Sequence, residues 1–164
     1  MIEKKEVKEV KEIKEVKEVK EVKEEYIVPI DHSYYMCIIS SLSFISGVYA
    51  IKQQLYAISA SPLIVFSTSI NYWRKPTYGL RRNIDIFCVI SSLSLHMYLS
   101  LQQKDTCNIN TNYLYCYLAP ISGLLYTTSW ILHKNHYFWG STITHSMIHV
   151  VANICNVILY NKLS

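Results

Sequence analysis

The chain has 164 residues, with 16 Lys and Arg against 12 Asp and Glu and a mean hydropathy of +0.14, values that taken alone suit one soluble domain. They average two unlike parts: residues 1–25 hold 8 Lys and 9 Glu, whereas residues 26–164 carry only 8 basic and 3 acidic side chains. That remainder is too poor in charge for an ordinary soluble domain, where ~25% of residues are charged. With no GxGxxG or Walker A sequence, and with its positive residues scattered through short loops, it argues against nucleotide cradling and against nucleic acid as a partner.

The chain opens on VKEVKEIKEVKEVKEVKE, a three-residue unit copied six times from Val7 to Glu24. Three residues advance a helix by ~300°, so the apolar positions spiral around it and form no coiled-coil seam. Residues 1–25 are expected to be a charged, partly helical, low-complexity tail outside the membrane. They lack the apolar core and cleavage site of a signal peptide, so the first apolar run is expected to act as an uncleaved anchor.

Residues 26–164 are expected to form one all-α, polytopic transmembrane helical bundle. About 20 residues at ~1.5 Å each cover a ~30 Å hydrocarbon core. Five stretches meet that length: 33–51, 53–73, 83–103, 111–132 and 137–160. The first two are predicted to form a tight hairpin turning at Lys52-Gln53-Gln54, with Pro62 inside the second. A basic loop, 74–82, leads to the third, which opens near Asp85 and holds His96. Gly is scarce, at 4 residues, which argues against glycine-based helix packing. Cys37, Cys88, Cys116 and Cys155 fall within spans as small apolar residues, and Cys107 falls in a loop.

Five crossings place the tail, Arg74, Lys75, Arg81, Arg82 and Lys134 on one side, and Lys52, Lys104 and Lys162 on the other. The side richer in basic residues is predicted cytoplasmic, and with it the N-terminus. Arg74, Lys75, Arg81 and Arg82 are also candidates for contact with acidic lipid headgroups.

The fifth stretch, YFWGSTITHSMIHVVANICNVILY, contains no Lys, Arg, Asp or Glu but holds His145 and His149. Four residues apart, they share one helix face at the spacing two imidazoles need to hold a single metal ion. Asn153 continues that face, so a polar lane through Asn153 and Asn156 would suit a small transporter or channel. A plainer reading makes both histidines interhelical hydrogen-bonding groups, His96 a buried polar contact, and Asp85 either an interfacial salt-bridge partner of Arg81 and Arg82 or a charge at a helix N-terminus.

Ser69 near the end of one span, Asp85 sixteen residues later, and His145-xxx-His149 in the last span together resemble the pattern of the superfamily of alkaline ceramidases, progestin/adipoQ receptors and hemolysin-III-like proteins. The resemblance covers residues 54–160 and implies zinc as cofactor, with His145, His149 and Asp85 as ligands. It implies catalytic roles for Ser69 and Asp85 at a metal-bound water in the hydrolysis of a lipid amide. Where that superfamily carries a third His, four residues after the Ser, this chain has Trp73. The functions to be weighed are therefore a structural or interaction role in the membrane, a zinc-dependent membrane hydrolase, and a small transporter or channel.

Overall fold

A computed structural model describes residues 26–102 and 113–164; the expectations for the tail at 1–25 and the loop around Cys107 lie outside the described residues. All regular structure among the described residues is helical: α1 (Ile30–Lys52), α2 (Tyr56–Trp73), α3 (Leu80–Gln102), α4 (Leu114–Lys134) and α5 (Phe138–Leu163). These are the five expected stretches with shifted ends. The shift that matters most is at α3, which starts at Leu80, so Arg81 and Arg82 belong to its first turn and not to the preceding loop.

Three of the helices, α1, α3 and α5, are long and apolar enough to cross a membrane. The other two fall short of that composition for a visible reason. Over its 18 residues α2 carries no charged side chain but spends many positions on Ser, Thr, Asn and Tyr. Similarly, α4 ends on His133 and Lys134 and is interrupted by Ser, Thr and Tyr.

Two short links set the hairpins. After α1, Gln54 takes a left-handed backbone with φ 60°, the Gln54 N–H donates to the Ile51 carbonyl, and the Leu55 N–H donates to that of Ala50. After α4, His136 has φ 62°, with the His136 and Tyr137 amides donating to His133 and Leu132. Both are Schellman closures, which satisfy the last helical carbonyls while reversing the chain. Each is completed here without glycine.

The helices alternate in direction and close into a ring. Antiparallel pairing of α2 with α3 is recorded by Ser61 Oγ donating to Ser92 Oγ at 2.7 Å and by Ser69 meeting Asp85. Antiparallel α4 and α5 meet through Ser129 and Ser141. The first and last helices run parallel in a constant register of 110 residues, as His32 with Thr142, Ser43 with Asn153 and Ser46 with Asn156. The ring is tightest where α1 meets α2 and loosest where α3 meets α4 and α5.

Its interior is polar and small, and its surface apolar. Along α1 the buried positions include Ser33, Met36, Ser40, Ser43, Gly47 and Ala50, a seam spaced alternately by three and four residues that faces its neighbours. Outward stand Ile38, Phe87 and Leu124, at 68%, 70% and 69% exposure. Such an inverted distribution suits helices that meet through small and hydrogen-bonding residues while lipid covers the rest. Contrary to the expectation from glycine scarcity, one close approach does use glycine: a Cβ at Gly47 would stand 2.7 Å from the Leu63 side chain.

Candidate functional site

Within the ring lies a cavity of about 370 Å³, in the size range of small-molecule sites. Its walls are mostly apolar in surface, with Val65 on α2, Val89 and Leu93 on α3, Ala119 on α4, and Ile148 and Ala152 on α5. Asp85, His96, His145, His149, Asn153 and Asn156 also line it. From Asp85 to His96 on α3, and from His145 to Asn156 on α5, is eleven residues, so the cavity extends ~16 Å along the helices.

At one end the polar groups are committed, except Asn153 Oδ1, which is buried without a partner among the described residues. His96 is fully buried. Its Nδ1 donates to the Ser92 carbonyl at 2.7 Å, which leaves Nε2 as the acceptor of the Tyr160 hydroxyl at 2.7 Å. Beside it, Tyr115 Oη donates to Asn156 Oδ1 at 2.5 Å, and Asn156 Nδ2 donates to Ser46 at 3.4 Å. His96 is therefore the buried polar contact the sequence suggested, with partners on its own helix and on α5.

At the other end the groups are held but not satisfied. Asp85 Oδ1 accepts from Ser69 Oγ at 2.7 Å and from Thr68 Oγ1 at 3.1 Å. Neither arginine pairs with it: Arg82 donates to the Tyr126 hydroxyl at 3.0 Å and lies over the Tyr78 ring. His149 is 8% exposed, and neither its imidazole nor that of His145 has a hydrogen-bond partner among the described residues. Their contacts are aromatic: His145 with Trp73 at 5.5 Å, with Tyr126 at 6.3 Å and with His149 at 5.6 Å between ring centroids. The expectation that these two histidines join helices by hydrogen bonds is thus corrected, as is the pairing of Asp85 with Arg81 and Arg82.

Asp85, His145 and His149 line the same cavity, and Ser69 reaches it only through its bond to Asp85. Zinc does not fit the arrangement. Among the described residues no group of three or more His, Cys, Asp or Glu could hold a metal ion. The place of a third histidine is filled by the Trp73 indole, packed edge-on against His145. An indole offers only an N–H donor and no lone pair for a metal, and that Nε1 is buried without a partner.

Thr68 escaped the sequence analysis, although a second hydroxyl beside Ser69 was its only signal. Also missed were Tyr115 and Tyr160, two of fourteen tyrosines with nothing to distinguish them. No family model matches the chain, and no curated protein or solved structure matches it either.

Proposed function

We propose that the chain is a multi-pass integral membrane protein, crossing five times with its N-terminus in the cytoplasm, and that it acts by interaction, holding a small ligand inside the bundle. The observation that carries the binding role is the pair of imidazoles, His145 and His149, facing a preformed cavity without protein partners. Their nitrogens are left to hydrogen-bond with whatever enters the cavity, so a ligand with complementary donors and acceptors is the natural occupant.

Five crossings are supported by packing as well as by composition. Since α2 lies against α1 across a three-residue link and α4 lies against α5 in the same way, each occupies the same depth as a neighbour apolar enough to span. Alternating directions put the 74–79 link and the 135–137 link at the end where α1 begins, together with Arg74, Lys75, Arg81, Arg82 and Lys134. Positive charge gathered there supports a cytoplasmic face and contact with acidic headgroups. The layout of Ser69, Asp85, His145 and His149 supports a distant likeness to the ceramidase and progestin/adipoQ receptor superfamily in a form that works without the metal.

Labelling with a membrane-impermeant thiol reagent, in a background with the native cysteines replaced, tests the topology. Tyr78→Cys and Asn135→Cys are expected to label from the cytoplasmic side, and Lys52→Cys and Ser164→Cys from the other. Labelling of Lys52→Cys and Tyr78→Cys from the same side removes the five-span arrangement.

A second reading, passage of a small solute, is favoured by Asn153 and Asn156, which carry the polar face of α5 beyond His149. Against it, the Tyr115–Asn156 and His96–Tyr160 bonds close that lane. Flux through liposomes that rises when Tyr115 is replaced by Ala, and is absent before, is the expected behaviour of a closed lane.

A further inference from the structure

We infer that the outer surface of the bundle fits a bilayer with a hydrocarbon core of about 26 Å, thinner than the ~30 Å average. Its partner is then a thin, sterol-poor membrane of the endoplasmic-reticulum kind. This rests on the five crossings proposed above and adds the kind of membrane they fit.

The first ground is the spacing of boundary residues along each helix. Tyr and Trp settle at the headgroup level, where an apolar ring can stay in lipid while its polar atom reaches water, and Lys and Arg mark the same level. At ~1.5 Å per residue, exposed Tyr34 and Lys52 on α1 are ~27 Å apart. On α3 the span from Arg82 to exposed Tyr98 is ~24 Å. On α4, Tyr113 at the N-cap and Trp130, both exposed, are ~26 Å apart. The whole of α2, 18 residues without a charged side chain, is ~27 Å long and is followed by Arg74. Four helices thus agree to within ~3 Å, and tilting them would only shorten the distance along the membrane normal.

The second ground is that polar contacts pin both levels. At the end where α1 begins, Lys134 Nζ lies 4.1 Å from the centre of the Trp130 ring, and Arg82 donates to the Tyr126 hydroxyl. At the other, the Tyr49 hydroxyl donates to Asn161 Oδ1 and accepts from Gln53 Nε2 at 2.9 Å, which ties the ends of α1 and α5 together. A plasma membrane of ~32–33 Å would draw such groups into hydrocarbon or have to thin by ~6 Å around the bundle.

The longest helix, α5, accounts for its surplus at one end. In the register that joins His32 to Thr142, Trp139 is level with Pro29, before α1 begins. The first turn of α5 therefore stands outside the level of Tyr34, with Trp139 against the His32 ring at 4.2 Å.

The test uses the full chain in vesicles of dibrominated dioleoyl phosphatidylcholine, whose bromines quench tryptophan. Exposed Trp130 and Trp139 report, and buried Trp73 adds a background. Unbrominated phosphatidylcholines with myristoleoyl, palmitoleoyl, oleoyl, eicosenoyl or erucoyl chains compete, and the recovered fluorescence gives the relative affinity of each. Affinity is expected to peak at palmitoleoyl chains and to fall about three-fold or more by erucoyl. Replacing Tyr98 and Tyr113 together by Leu, at exposed positions, is expected to move the peak toward longer chains.

A peak at eicosenoyl or erucoyl chains, or a flat profile, overturns the thickness while the quenching itself leaves the crossings standing. If brominated lipid quenches neither Trp130 nor Trp139, the crossings of α4 and α5 fail. A peak that stays in place in the folded double variant overturns the boundary at these tyrosines. Should that variant not fold, the profile of the unaltered chain still decides.

Discussion

The two ends of the cavity contain the same kind of residue in opposite circumstances. His96 has both ring nitrogens engaged, one by the Ser92 carbonyl and one by the Tyr160 hydroxyl. His145 and His149, about a helical turn apart on α5, line the cavity, pack against each other and, through His145, against the Trp73 ring, and neither imidazole is hydrogen-bonded among the described residues. In a hydrocarbon surrounding, an engaged imidazole is a fastening between helices, whereas an unengaged one is a site waiting for its partner. Residue type alone does not separate the two; the placement of hydroxyls on neighbouring helices does.

That contrast yields graded expectations. Tyr160→Phe removes the donor to His96 Nε2 and leaves a buried nitrogen without a partner. It is expected to lower stability by about 1.5 kcal/mol, toward the upper range for polar contacts between membrane helices, as measured by reversible unfolding in mixed micelles. Ser69→Ala is expected to cost less, about 0.5 kcal/mol, because Thr68 still donates to the same Asp85 oxygen. A loss as large as that of Tyr160→Phe would make the Asp85 end a fastening too and weaken the contrast.

His145→Ala should move stability least, by under about 1 kcal/mol and without regard to added zinc, since ring contacts alone are lost. Metal analysis of the purified protein is expected to find zinc far below one per chain, before and after this change. Stoichiometric zinc that disappears with His145 would show that the Trp73 end can assemble a ligand set after all.

Much of the fold was legible in the sequence because a chain that puts most of its charge into its first 25 residues leaves long uncharged stretches behind. Their number and order follow directly, and each appears as a helix. The ends were less legible. Arg81 and Arg82 resemble loop residues, yet they sit in the first turn of α3, where they can reach the polar boundary while the helix continues inward. The inward faces were hidden altogether. In water, apolar periodicity marks the core, but here the seam of α1 is Ser33, Ser40, Ser43 and Gly47, and Ile38 and Phe44 point away from it.

The candidate site was legible in part. His145 and His149 were selected by spacing, and Ser69 and Asp85 by the family resemblance; Asp85 and the two histidines line one cavity, with Ser69 bonded to Asp85. Their coordination of zinc was not to be had, because Trp73 fills the remaining place and Asp85 is engaged by hydroxyls. Nothing in the sequence could distinguish the engaged His96 from the unengaged pair, since that depends on Tyr160 and Ser92 arriving beside it from particular helical turns.

The comparison is tested most directly by unfolding His96→Ala and His149→Ala side by side under the same lipid and denaturant conditions. Losing His96 removes two hydrogen bonds and strands the Tyr160 hydroxyl, so a loss of about 3 kcal/mol is expected, against under about 1 kcal/mol for His149→Ala, whose imidazole makes no hydrogen bond among the described residues. Equal losses, or the larger loss at His149, would contradict the division of the interior into a fastened end and an open one.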